Sequence, residues 1–116
     1  MMANDAAFKV TVSEQGGAPV LEARGEIDVA SAPEFHASLA DVIGQDPDIV
    51  IVDMSGVTFI DSTGLGVLVA AEKEMREGGH DLRLVVTQPQ ILRLLELTGL
   101  DKVFTVLSTT SEAVPT

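Results

Sequence analysis

Residues 49–66 read Ile49-Val50-Ile51-Val52-Asp53-Met54-Ser55-Gly56-Val57-Thr58-Phe59-Ile60-Asp61-Ser62-Thr63-Gly64-Leu65-Gly66. The first four form an unbroken β-branched run, the pattern of a strand covered on both faces. Asp53 then falls in a loop or at a cap. A helix starts near Thr63 or Gly64, is apolar all round from Leu65 to Ala71, and ends at Gly78-Gly79. A covered strand leading into a helix is the start of a βαβ unit.

The flanking segments extend the same pattern. Downstream, Leu82 to Val86 is a second covered strand. Pro89 opens a helix through Leu97 that Gly99 closes, and Val103 to Leu107 is a last short strand. Upstream, Asp46-Pro47-Asp48 is a loop. Ser31 caps a helix that runs to about Ile43, with Pro33 in its first turn and Glu34 at capping-box spacing. Phe35, Leu39, Val42 and Ile43 make its apolar stripe. Residues 8–12 alternate, Gln15-Gly16-Gly17 signals a turn, and Pro19 to Arg24 pairs back as a hairpin, which Gly25 to Ala30 leaves. The tail 108–116 is Ser/Thr-rich, with at most a turn of helix around Glu112. The order β-β-α-β-α-β-α-β defines an α/β fold: a central sheet of about five strands, the later ones parallel with right-handed crossovers.

Composition narrows the function classes. The 116 residues amount to one domain of ordinary apolar content. The absence of cysteine excludes thiol catalysis, disulfides and cysteine-held metals, and fits a reducing compartment. Four Phe with no Tyr or Trp make no platform for stacking bases. Seven basic against eighteen acidic residues give a formal charge of −11, which repels nucleic acid and anionic membranes. That charge attracts a basic protein surface or serves only solubility. Met1 to Phe8 has neither a basic n-region nor an apolar h-region, and Leu65 to Ala71 is far shorter than the roughly 20 residues of a membrane span. The expected location is the cytoplasm, with no membrane and no nucleic acid among the partners.

Chemistry concentrates at Asp61-Ser62-Thr63. These polar residues lie between a covered strand and an apolar helix, so they sit at a helix N-terminus, where free N–H groups and the helix dipole favour an anion. The fold would tolerate a phosphate on Ser62 there. Alternatively Asp61 or Ser62 is simply the N-cap. Leu65, Leu68, Val69 and Met75 can share the core face, which turns Gly66, Val67 and Ala70 outward or sideways. Such a small uncharged patch suits a docking partner, or else burial under a neighbouring element.

The sequence resembles the STAS-domain family, specifically the bacterial anti-sigma factor antagonists. The resemblance runs from Leu21-Glu22-Ala23-Arg24-Gly25-Glu26-Ile27-Asp28, through Ser31-Ala32-Pro33-Glu34-Phe35 and Asp53–Val69, to Leu82-Arg83-Leu84-Val85, Ile91 and Gly99-Leu100. It covers nearly the whole chain and implies a single STAS domain over 1–116. It also implies a switch protein in which Ser62 is the phosphorylation site. The unphosphorylated form would bind an anti-sigma factor that is also its ATP-using serine kinase, freeing the sigma factor. Phosphorylation would end the interaction and a PP2C-type phosphatase would restore it. Asp28 is carried over as a partner contact, Ser31 matches a Thr or Ser position, and Asp61, Ser62, Thr63, Gly64, Leu65, Gly66 and Val67 complete the docking set. No cofactor or metal is implied. The resemblance also leads one to expect a longer final helix than the tail provides.

Other classes fit poorly. A receiver domain would need an acidic pair after the first strand and a Lys after a late strand, yet Lys102 follows Gly99-Leu100. A serine hydrolase would need glycine where Ile60 stands. Gly64-x-Gly66 is too short to cradle phosphates, and the two histidines, His36 in a helix and His80 in a Gly-rich turn, have no ligand spacing around them. The alternative function is a STAS scaffold, or a subunit of a sensory or lipid-transport complex, in which Ser62 is not modified.

Overall fold

The computed structural model describes residues 7–115. Residues 1–6 of the Met1–Phe8 segment, and Thr116 of the tail, lie outside the described residues. The elements are β1 (Lys9–Gln15), β2 (Ala18–Ile27), α1 (Ala32–Ile43), β3 (Ile49–Ile60), α2 (Ser62–Glu77), β4 (Asp81–Val85), α3 (Pro89–Thr98), a 3₁₀ turn (Leu100–Lys102), β5 (Thr105–Leu107) and α4 (Thr110–Ala113).

The sheet order is β1-β2-β3-β4-β5, with β1 antiparallel to β2 and every later pair parallel. Each βαβ unit steps one strand in the same direction. Right-handed crossovers of that kind put every connecting helix on one face. The main core agrees: Leu21 of β2, Phe35 and Leu39 of α1, Val50 and Val52 of β3, Leu68 and Met75 of α2, Leu84 of β4 and Ile91 and Leu95 of α3 form one buried cluster. Because the strand order never reverses, the sheet has no switch-point crevice of the kind that binds ligands in doubly wound folds.

The opposite face is covered in part by the tail. Ala18, Val20, Ile51 and Val85 are buried against Ala113 of α4. A capping box at Thr109 and Glu112 forms this single turn, and Arg83 Nη1 donates to the Ala113 carbonyl at 2.7 Å. The expected turn around Glu112 is therefore present, and it closes a second small core.

Several boundaries differ from expectation. β3 extends to Ile60 rather than ending at Val52, and β2 extends to Ile27. Asp53 is thus inside a strand, not in a loop: it pairs with Glu22 and Val85, and its Oδ1 accepts from Ser55 N–H at 3.0 Å and Ser55 Oγ at 2.7 Å. The extension was hidden because the β2–β3 register shifts between Glu22 and Arg24 and again between Gly25 and Glu26. Extra residues of this kind break the alternation that marks a strand. Gly25 takes φ +87°, which an L side chain resists, at the second shift. The last strand begins at Thr105, since Val103 ends the 3₁₀ turn that follows the left-handed Gly99.

Candidate functional site

The site occupies the carboxyl ends of β2 and β3. Ile27 and Ile60 are partners in the parallel register, and Asp61 N–H donates to the Ile27 carbonyl at 3.1 Å. Asp28 and Asp61, one residue further along each chain, therefore leave the sheet side by side from strands about 4.8 Å apart. The two loops converge, bringing together residues more than thirty positions apart in sequence.

Asp61 is the N-cap of α2. Its backbone is extended (φ −103°, ψ −175°), the geometry a cap requires, and its side chain accepts from Gly64 N–H at 3.1 Å. Its carbonyl takes Leu65 N–H at 2.9 Å. The helix begins at Ser62, one residue before the earliest expected start. With the cap supplied by Asp61, the Ser62 side chain is left exposed, and among the described residues its hydroxyl has no hydrogen-bond partner. The N–H groups of Ser62 and Thr63 stay at the open end of the helix, where they favour negative charge.

Gly64 sets how closely α2 approaches the sheet. A Cβ there would lie 2.6 Å from Ile27 Cγ2, 2.8 Å from Ile60 Cγ1 and 3.2 Å from the Ile27 carbonyl oxygen. The absence of a side chain lets the helix start press against the ends of both strands. Leu65, Leu68, Ala71 and Met75 face the core, while Val69, expected among them, is half-buried. Gly66 and Ala70 are exposed and Val67 is half-buried. Within the expected docking set, Gly64 and Leu65 are thus buried and offer little surface; they seat the helix. Ser62, Thr63, Gly66 and Val67 form the accessible part.

The second loop is built around Asp28 and Ser31. Asp28 Oδ1 accepts from Ala30 N–H at 3.0 Å and Ser31 N–H at 3.1 Å. Ser31 Oγ accepts from Asp28 N–H at 2.9 Å and donates to the Glu26 carbonyl at 2.8 Å. The capping box expected from Ser31 and Glu34 is not formed. Ser31 holds φ −96° and ψ −15° instead of an extended conformation, so its hydroxyl turns back into the loop rather than forward over α1.

Two features escaped the sequence reading. Val29, at the tip of this loop, is 70% exposed, and Phe59, just before the turn into α2, is 49% exposed. Phe59 lines a groove with Thr58, Ile60, Gln90, Ile91 and Leu94. Val29 stands in the segment that leaves β2, and Phe59 lies beyond Val52, where the covered strand was expected to end. Among the described residues neither Asp28 nor Asp61 makes an ion pair. His80 serves the expected turn role, its Nε2 3.0 Å from Asp46 Oδ1, and lies in the turn after α2, at the far end of that helix from Ser62. Among the described residues no group of three or more His, Asp and Glu side chains is placed to hold a metal ion, and no helix is long and apolar enough to cross a membrane.

A five-stranded mixed sheet with three helices on one face and an anion-favouring helix start at the strand ends is a STAS architecture, and the chain belongs to the STAS domain family, whose model matches residues 9–113. It is similar to the anti-sigma-F factor antagonist RsfB of Mycobacterium tuberculosis, at 33% identity over 107 residues, covering 90% of this chain and 85% of that one. It is similar to the anti-sigma-B factor antagonist of Bacillus subtilis, at 40% identity over 76 residues, covering 66% of this chain and 69% of the other. The crystal structure of an anti-sigma factor antagonist from Mycobacterium paratuberculosis superposes with a TM-score of 0.87 at 28% identity, over 97% of this chain and 95% of that one.

Proposed function

We propose that this protein is an anti-sigma factor antagonist switched by phosphorylation of Ser62. In its unmodified form it binds an anti-sigma factor that is also an ATP-dependent serine kinase, and so releases a sigma factor. The observation that carries this reading is the state of Ser62: an exposed hydroxyl at a helix N-terminus that Asp61 already caps. Among the described residues nothing hydrogen-bonds this hydroxyl, so it is open to a kinase. The relatives named as anti-sigma factor antagonists support the same assignment.

In the kinase step, Ser62 Oγ forms a bond to the γ-phosphorus of ATP, the bond from that phosphorus to the bridging oxygen breaks, and ADP leaves. The hydroxyl proton passes to a base on the partner. The product carries about −1.5 to −2 charges at neutral pH. Within the fold, the open N–H groups of Ser62 and Thr63 offset that charge. At the interface, Asp61 and Asp28 stand beside it, and a partner surface fitted to a neutral hydroxyl would have to desolvate a dianion. Switching therefore acts by local repulsion and bulk. A PP2C-type phosphatase resets the protein by directing water to the phosphorus and releasing inorganic phosphate.

Asp28 and the loop that Ser31 closes form one wall of the docking surface. Ser62, Thr63, Gly66 and Val67 form the other, with Gly64 and Leu65 beneath them. The test is intact-mass measurement and peptide mapping of protein isolated from its native cells, with capture of its partners. A fraction carrying one phosphoryl group on Ser62, lost in Ser62→Ala, together with capture of an ATP-binding kinase by the unmodified form, is the expected result. An unmodified Ser62 under every growth condition, with membrane-complex subunits captured instead, overturns the proposal.

A further inference from the structure

We propose that Gln88 is a positioning residue for the Ser62 site, a step that rests on reading Ser62 as a regulated docking site. The twelve residues of β3 pair with β4 only from Ile49 to Asp53. Beyond Asp53 no strand among the described residues lies along that edge, although backbone carbonyls there still need donors. The side-chain amide of Gln88 supplies them. Its Nε2 carries two hydrogens and faces three carbonyls, Met54 at 2.8 Å, Ser55 at 3.1 Å and Val57, so one N–H is shared between two of them.

The chemistry fixes which way the amide points. Carbonyl oxygens only accept, so the nitrogen must face them. On the other side Gln88 Oε1 accepts from Thr87 N–H at 3.0 Å. Both ends of the group are therefore specified. Gln88 is also the N-cap residue of α3, yet its side chain makes no bond to its own helix. It ties the start of α3 to the outgoing half of β3 instead.

That half is also weakly held on its other edge. The β2–β3 ladder skips a residue opposite Met54 and Ser55, and again between Val57 and Phe59. Ladders are disrupted at such points. The Gln88 bonds fall on Met54, Ser55 and Val57, across the first irregularity and up to the second. The segment Phe59–Ser62 thus extends from a stretch whose outer edge is held by one amide, and the position of the Ser62 hydroxyl depends on it.

Two variants of the full chain test this. Gln88→Met removes the donor at similar length, and Gln88→Glu sets a carboxylate oxygen against the same carbonyls. Amide hydrogen exchange over residues 57–61 should accelerate about tenfold or more, the effect of losing one such bonded group, while residues 50–52 keep wild-type rates. Affinity for the ATP-binding anti-sigma partner should fall several-fold, more for Gln88→Glu than for Gln88→Met, with thermal unfolding followed in parallel. Gln88→Met covers the case in which Gln88→Glu does not fold. Unchanged exchange at 57–61, or equal acceleration in both halves of β3, makes Gln88 an ordinary stability residue and overturns the inference. So does wild-type affinity in a variant whose segment is loosened. The proposed function is judged separately, by wild type against Ser62→Glu: if neither binds such a partner, or both bind equally, that reading fails and the exchange experiment alone decides the role of Gln88.

Discussion

Asp28 and Ser31 hold each other through two reciprocal hydrogen bonds: Asp28 N–H to Ser31 Oγ at 2.9 Å, and Ser31 N–H to Asp28 Oδ1 at 3.1 Å. The pair closes the loop that follows β2 and fixes the Asp28 carboxylate beside the turn from β3 into α2. In Ser31→Ala the half-buried Asp28 N–H and Glu26 carbonyl lose their partner together. The expected cost is about 1–3 kcal/mol in urea unfolding. Ser31→Thr keeps the hydroxyl and should recover most of it. Partner affinity, measured by calorimetry, should follow the loop and fall in the alanine variant only.

Gly64 and Gly66 are two residues apart on one helix and have opposite requirements. At Gly64 a methyl group meets Ile27 and Ile60 at under 3 Å, and the Ile27 carbonyl oxygen behind them is backbone. Gly64→Ala should destabilise the fold by about 1–3 kcal/mol through overpacking, read as a lowered thermal midpoint.

At Gly66 a methyl group would meet nothing within 4 Å. Gly66→Ala should therefore stabilise the free protein by about 1 kcal/mol, the usual gain from replacing glycine in a helix interior. If the open space is reserved for the partner, the same variant binds more weakly. Higher stability with lower affinity is the expected pair of results, and unchanged affinity would remove Gly66 from the docking surface.

Phosphorylation of Ser62 should leave the backbone in place. The helix start offers open N–H groups and a favourable dipole worth about 0.3–1 kcal/mol to a charge there. Nuclear magnetic resonance spectra of the two forms should differ in backbone shifts at residues 28–31 and 60–67 and coincide elsewhere. Shifts spread through α1, α3 or β1 would mean that the modification refolds the chain, and would defeat the local-repulsion account.

Most of the fold was legible because its helices carry strong punctuation. Pro33, Pro89 and the glycine pair Gly78-Gly79 stand where the structure places helix ends. The run Ile49 to Val52 announced the central strand, but Ser55, Gly56 and Thr58 concealed its outgoing half, since register shifts leave no alternation to read. Asp61 and Ser62 could be located at a helix start but not told apart. Only the bond from Gly64 N–H to Asp61 Oδ1 assigns the cap to one and leaves the other free. Ser31 looked like a cap from its spacing to Glu34, yet its backbone angles turn the hydroxyl elsewhere. Gln88 carries no signal at all, because its partners lie more than thirty residues away in sequence.

The strand ends bearing Asp28 and Ser62 lie outside both packed layers, with α1, α2 and α3 on one face of the sheet and α4 on the other. Inherited changes therefore fall on two nearly separate sets of residues. Val29, Thr63 and Gly66 are exposed, and replacements there change the proposed docking surface and leave the buried Phe35, Val50 and Leu68 untouched. After gene duplication, exposed positions such as these are where one copy can diverge in what it binds at little expense to the core, whereas Gly64 and Ser31 are held in place by the fold itself.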